Sequence, residues 1–226
     1  MILVDTIGDS DINLSPKRFK KPHILWRLIK NLSLILFFSV IVFFATNLPA
    51  CLVIGKYKLN PTFFAFNQSE QDDLTIASTT GQYKPTKQYP DKSLFIPKIG
   101  VVAPVRYDIK ADAVTSELKD GVVHLSGSGH IDDGKNIFIT GHSSNYWWEE
   151  GQYNIIFALL PELESGDLIY LTDKGQLKRF KVSDKREVRK SEVDDYLTLE
   201  GEQLTLMTCV PVGTNLKRLL VVAVPD

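Results

Sequence analysis

Hydrophobic and polar residues follow three regimes along this chain. From Asn31 to Gly55 no charged residue occurs, and Leu32 to Ala45 is almost wholly apolar. A helix of about 20 such residues spans the hydrocarbon core of a bilayer, so the pattern predicts a membrane anchor over residues 31–55. A core helix of a soluble protein would carry a polar face, and this run, with Ser33 and Ser39 as its isolated polar positions, has no such face. Residues 56–92 show no period. Gln68–Asp73 and Ser78–Gln82 are polar and Pro85 and Pro90 punctuate the end, as expected of a linker. Phe63, Phe64 and Phe66 fit either a membrane interface or packing on a folded domain. From Ser93 onward short apolar segments alternate with turn residues. Leu94–Pro97, Val101–Tyr107, Asn136–Thr140, Asp167–Thr172, Leu177–Val188, Gln203–Cys209 and Arg218–Val224 read as strands. Asp173-Lys174-Gly175-Gln176 marks a hairpin between two of them. Ala111–Lys119, Asn154–Leu160 and Ser191–Leu197 have the spacing of short helices. Many short strands with few helices over residues 93–226 predict a mainly β barrel or sandwich.

Charge orients the anchor and narrows the partners. Lys17, Arg18, Lys20, Lys21, Arg27 and Lys30 precede the apolar run, whereas Lys56 and Lys58 are the close basic residues after it. The positive-inside bias therefore predicts a cytoplasmic tail over residues 1–30 and an external position for everything beyond the anchor. Ala45 and Ala50 would suit a signal-peptidase site. The basic region is nevertheless long and the apolar run exceeds a usual signal core, which favours an uncleaved anchor. Net charge is −1, and no basic stripe points to a nucleic-acid partner. The two cysteines make no disulfide framework. Cys51 lies beside the apolar run and Cys209 far away in the C-terminal domain, so both read as free thiols.

Three residues suggest chemistry through their positions. Cys209 ends the apolar segment Thr205–Cys209, just before a turn marked by Pro211 and Gly213. Arg218 opens the next strand, and His142 ends the run Ile137–Gly141. Each has a bland reading: cysteines on apolar strands are more often core than catalytic, strand-end histidines often bond a loop, and arginines often pair at the surface. Together they supply a thiol, an imidazole and a guanidinium at strand ends, the parts of cysteine acyl transfer.

The segment from Thr205 to Ala223, TLMTCVPVGTNLKRLLVVA, resembles the sortase signature: a TLxTC strand end, a turn, and an arginine opening the next strand. Gly121–Leu125 followed by Asn136–His142 is similar to the stretch leading to the catalytic histidine of that family. Leu94–Gly100 with Ala103-Pro104-Val105 resembles its opening strands. The likeness covers about residues 93–226 and implies a mainly β, sortase-like closed β-barrel with short helices, preceded by one N-terminal transmembrane helix.

By that resemblance Cys209 is expected to attack the threonine carbonyl of an LPxTG-type sorting motif and form a thioacyl-enzyme. His142 would serve as acid and base, and Arg218 would grip the carbonyl and its developing oxyanion. Thr208 and the turn after Cys209 would shape the oxyanion side, and His124 would line the site. Implied partners are LPxTG-like sorting-signal proteins, an amine acceptor (a cell-wall precursor or a pilin lysine) and membrane lipid around residues 31–55. The implied place is a bacterial cell membrane, single-pass, with the catalytic domain outside.

Trp147 and Trp148 sit in an aromatic insertion after His142, where many family members have a shorter polar segment. They would either wall a substrate groove or cover the barrel base. No His/Cys/Asp/Glu set has metal-ligand spacing, so no metal and no cofactor are expected. Asp132 and Asp133 could bind calcium, as some sortases do, but loop acids are usually just solvated, and His130 reads as solvated too. Other Cys/His enzymes fit less well. NlpC-like peptidases place the cysteine first, and L,D-transpeptidases lead into theirs with a Ser/Gly-rich stretch. A membrane-anchored β-barrel binding module, a degenerate sortase without catalysis, is the non-enzymatic alternative.

Overall fold

The computed structural model describes residues 23–63 and 90–226. Contacts divide the chain into two compact units, Met1–Ile41 and Val42–Asp226. Helix α1 (His23–Thr46) begins before the predicted anchor. Its apolar portion, Ile24–Thr46, is 23 residues, long and apolar enough to cross a membrane. The charge-free criterion started the anchor at residue 31. A helix carries Arg27 and Lys30 in its first turns without difficulty, because long basic side chains can reach toward a polar boundary. Lys30 Nζ lies over the Trp26 ring at 5.9 Å.

Helix α1 also ends before residue 55, the expected end of the apolar span. Asn47 interrupts the helical path, and α2 (Leu48–Leu59) starts anew with Pro49 in its first turn, where a missing N–H costs no hydrogen bond. Ala50 and Tyr57 of α2 are buried, and Val53 and Ile54 pack against the core of the second unit. Residues 48–59 thus form a docked helix that runs past residue 55 into the expected linker. The tail through residue 22 and the linker residues 64–89, with Phe64 and Phe66, lie outside the described residues, as does the Phe63 side chain.

Eight strands close a barrel in the order β1-β2-β3-β4-β7-β8-β6-β5. They are β1 (Ser93–Ile96), β2 (Val101–Ile109), β3 (Val122–Leu125), β4 (Asn136–Thr140), β5 (Leu168–Asp173), β6 (Gln176–Val188), β7 (Gln203–Val210) and β8 (Lys217–Pro225). Inward positions alternate as a barrel demands: on β2, Val101, Ala103 and Val105 are buried while Val102, Pro104 and Arg106 are exposed. The β5–β6 hairpin forms where the sequence signalled it. Lys174 and Gly175 take positive φ (51° and 77°), as a two-residue hairpin loop requires. The barrel interior is filled by apolar side chains including Leu94, Ile137, Phe180, Leu206 and Val221. A second cluster, Phe138, Val188, Val193 and Leu220, lies under the β6–β7 connection.

Two local expectations fail for physical reasons. Residues 154–160 form consecutive turns and then a 3-10 turn at Leu160–Glu162, not an α-helix. Their burial of Phe157, Ala158, Leu159 and Leu160 needs no helix, and so short a segment nucleates one poorly. Strand β3 escaped the pattern because Val122, Val123 and His124 are all buried, which erases the alternation. Of Ala111–Lys119 only Val114–Glu117 (α3) is α-helical, and of Ser191–Leu197 only Asp194–Leu197 (α4).

Candidate active site

The topology explains why three distant residues share one rim. Strands β4 and β7 are parallel, with Thr140 beside Met207, so the residues following each strand leave at the same end. Strand β8 runs antiparallel to β7, which sets Arg218, near its start, directly opposite Cys209. His142, Cys209 and Arg218 all line one cleft of about 890 Å³. Its walls include Leu118 near α3, Leu125 on β3, Val193 and Leu197 of the β6–β7 connection, and Phe43 and Asn47 at the α1–α2 junction.

Close packing holds the histidine end. A Cβ on Gly141 would lie 2.5 Å from the Phe157 ring, so only glycine lets that ring seat behind the strand end. The Phe157 N–H then donates to the His142 carbonyl at 2.9 Å. Thr208 is buried and does not line the cleft. Its Oγ1 donates to the Gly141 carbonyl at 2.8 Å, tying β7 to the residue before His142. His142 is half-buried, and burial alone holds its pKa below the ordinary histidine value. Among the described residues no hydrogen bond occupies its ring.

The cysteine end has a different character. Cys209 is partly exposed, and its Sγ faces Asn215 Oδ1 at 3.8 Å, at the length limit for a thiol donor. The Gly213 N–H donates to Ser144 Oγ at 3.0 Å and joins the two loops that carry the histidine and the thiol. Gly213 has φ +85°, and a Cβ there would meet Asn47 Oδ1 at 2.7 Å. Arg218 is 8% exposed. Its guanidinium donates to the Lys217 carbonyl at 3.2 Å, and among the described residues no carboxylate pairs with it. A buried cation without an acidic partner is costly and invites an anion or a polarised carbonyl from outside.

The remaining expected site residues lie elsewhere. His124 is fully buried and is not part of the cleft lining, contrary to the expectation that it lines the site. Its Nε2 bonds the Gly129 carbonyl at 2.8 Å and its Nδ1 accepts from the Asp108 N–H at 3.2 Å. Burial lowers its pKa. Trp147 and Trp148 are 68% and 52% exposed and do not line the cleft, although neighbouring Tyr146, stacked on Trp148 at 4.7 Å, does. Asp132 is taken by an internal cation. Lys178 Nζ lies 2.7 Å from Asp132 Oδ1 and 3.1 Å from Glu202 Oε1. Asp133 accepts from the His130 N–H at 2.9 Å. Asn215 and Ser144 went unnoticed in the sequence because polar loop residues carry no periodic signal there.

Linear spacing offered no metal-ligating set, yet folding gathers Asp108, His124 and His130, whose ligand atoms lie within 4.8 Å of one another.

The model of the sortase domain matches residues 94–226, more than half of the chain. The chain belongs to the sortase family. Solved structures of similar fold include sortase C1 from Streptococcus suis, at 24% identity and TM-score 0.51, covering 60% of this chain and 72% of that one. Sortase C-1 from Actinomyces oris is similar at 22% identity and TM-score 0.50, over 71% and 99% of the two chains. A lid mutant of sortase A from Corynebacterium diphtheriae matches at 23% identity and TM-score 0.50, over 78% and 93%. No protein of curated function matches. The eight-stranded barrel is thus a sortase barrel, and its cleft brings together a thiol, an imidazole and a guanidinium that has no carboxylate partner among the described residues.

Proposed function

We propose that this sortase is a membrane-anchored cysteine transpeptidase that cleaves an LPxTG-like sorting motif and passes the acyl group to an amine in the cell envelope or pilus. The observation that carries this reading is Arg218, a buried guanidinium with no carboxylate beside it among the described residues, directly across the strands from Cys209. A fork of fixed positive charge beside a nucleophilic sulfur suits a carbonyl that becomes an oxyanion. Burial keeps the His142 imidazole neutral at rest, so it can take the thiol proton as the sulfur attacks the threonine carbonyl. The resulting imidazolium gives that proton to the leaving amine as the C–N bond breaks. Attack by an acceptor amine on the thioester, with proton transfer back to His142 and then to the departing thiolate, restores Cys209. Gly141, Phe157 and Thr208 would hold the imidazole, and Asn215 would orient the thiol.

The anchor fits the same reading. The basic residues before α1 support a cytoplasmic N-terminus through the positive-inside bias, and a barrel on the other side would meet sorting signals and amines in the envelope.

The full chain in detergent micelles is the reagent of choice, because α2 packs on the barrel and is part of the folded unit. Incubated with a set of LPxTG-like peptides and amine acceptors, it should cut between the fourth and fifth motif residues and yield amide products. Cys209→Ala should give none. Turnover surviving in that variant would remove the thioacyl mechanism, and a folded wild-type chain that binds the peptides without cutting any would leave a binding module.

A further inference from the structure

Away from the cleft, three lone-pair atoms converge at the β2–β3 side of the barrel. Asp108 sits where the β2–β3 register shifts between Arg106 and Ile109, a bulge that re-aims its side chain. Its Oδ1 lies 3.1 Å from His130 Nε2 and 3.6 Å from His124 Nδ1. Ligands bound to zinc at about 2.0–2.1 Å in a tetrahedral arrangement stand about 3.3 Å apart, close to both of these separations.

The tautomers can accommodate a metal. A carbonyl can only accept, so the 2.8 Å bond to the Gly129 oxygen fixes the His124 proton on Nε2 and leaves Nδ1 unprotonated; its lone pair accepts from the Asp108 N–H at 3.2 Å, a bond that an ion would displace. On the other ring, His130 Nδ1 is buried and makes no hydrogen bond among the described residues, while the buried Asp173 carboxylate stands 3.5 Å away. With its proton on Nε2, His130 donates to Asp108 Oδ1 at 3.1 Å; with the proton on Nδ1, facing Asp173, the Nε2 lone pair is free for an ion. Carboxylate–histidine–metal relays have this order, the outer acid setting the tautomer of the ligating ring. Tyr107 packs on both imidazoles, with ring centroids 5.0 and 5.5 Å away, and Asp108 is 60% exposed, which leaves an entry path.

We propose that Asp108, His124 and His130 form a binding site for a zinc-class divalent ion, with Asp173 as the outer partner of His130. Two imidazoles and one carboxylate suit a borderline transition metal better than calcium, which takes six to eight oxygens. The ion would pin the bulge of β2 to the β3–β4 loop, with water completing its coordination.

Zinc titration of the tag-free full chain in micelles, followed by calorimetry and by metal content after dialysis, tests the assignment. It is run in a Cys209→Ser background so that the cleft thiol cannot compete. One zinc per chain is expected, bound more weakly at pH 5.5 than at pH 7.5 because the ion must displace protons. His130→Gln and Asp108→Asn should each weaken binding by about tenfold or more. Both side chains are partly exposed, and the variants should keep the metal-free unfolding midpoint, so lost binding cannot be ascribed to misfolding. Saturating zinc should raise the midpoint of the parent protein and leave that of the double variant unmoved. Zinc bound equally well by the double variant, or none bound by the parent protein, overturns the site. The readout involves neither peptide cleavage nor Cys209, so its failure is distinct from failure of the transpeptidase reading.

Discussion

His142 and His124 lie at opposite ends of the antiparallel β3–β4 pair, and burial lowers the pKa of both. They differ in what surrounds their nitrogens. His124 is fully enclosed, with one nitrogen on the Gly129 carbonyl and the other on the Asp108 N–H. His142 is half-buried, opens on the cleft, and has no ring hydrogen bond among the described residues. Desolvation alone therefore does not mark a proton-transfer residue. An imidazole must be desolvated and also have a nitrogen left over for the substrate.

Substitutions separate the two most sharply. His142→Ala should lower kcat/KM for a sorting peptide by about 10²–10⁴-fold, with a thermal midpoint near that of the parent. His124→Ala should do the reverse. It strips partners from buried backbone groups and should cost about 1–3 kcal/mol in urea unfolding, with activity of the folded protein changed by less than about tenfold. Equal loss of activity in the two variants would erase the distinction. Arg218→Lys is expected to lose about a hundredfold, because an ammonium lacks the planar fork, and near-normal rates would make Arg218 a packing residue.

Gly141→Ala probes how tightly the histidine end is held. The added methyl meets the Phe157 ring and must push the strand end, with an expected loss of about tenfold to a hundredfold in kcat. A full-speed Gly141→Ala enzyme would mean that the Phe157 seat does not position His142.

The smallest effect is on acid stability. Each folded-state pKa lies below the unfolded value of about 6.5, so between the two values the unfolded chain binds more protons. The contribution of both residues is full above pH 6.5 and falls as pH drops toward the folded-state values. Thermal midpoints measured with a chelator present should therefore decline from pH 7.5 to pH 5. The His124→Ala variant should decline less steeply relative to its own midpoint at pH 7.5. Direct ring titration by NMR should place His142 below an ordinary histidine, and a midpoint at or above 6.5 would contradict the neutral resting imidazole.

Much of the barrel was legible because its strands carry local signals. Gln203–Val210 and Lys217–Pro225 were visible as apolar runs flanking Pro211 and Gly213, and the β5–β6 turn as Lys-Gly between β-type segments. Strand β3 and the 154–160 segment were not, since full burial erases periodicity and turns can bury apolar residues as well as a helix does. The boundary at Asn47 was invisible to hydropathy because residues 48–55 carry no charge and continue the apolar run, yet α2 packs on the barrel.

The long apolar N-terminal helix, the mainly β character of residues 93–226 and the three cleft residues Cys209, His142 and Arg218 were readable from the sequence alone, because strand ends and apolar runs are local patterns. Tertiary structure decided which residues meet. Parallel pairing of β4 with β7 brings two strand ends 67 residues apart to one rim. The β2 bulge and the β3–β4 loop gather Asp108, His124 and His130 across a gap that linear spacing does not encode. Convergence of side chains from separate strands depends on register and closure, and these are fixed only when the whole barrel packs.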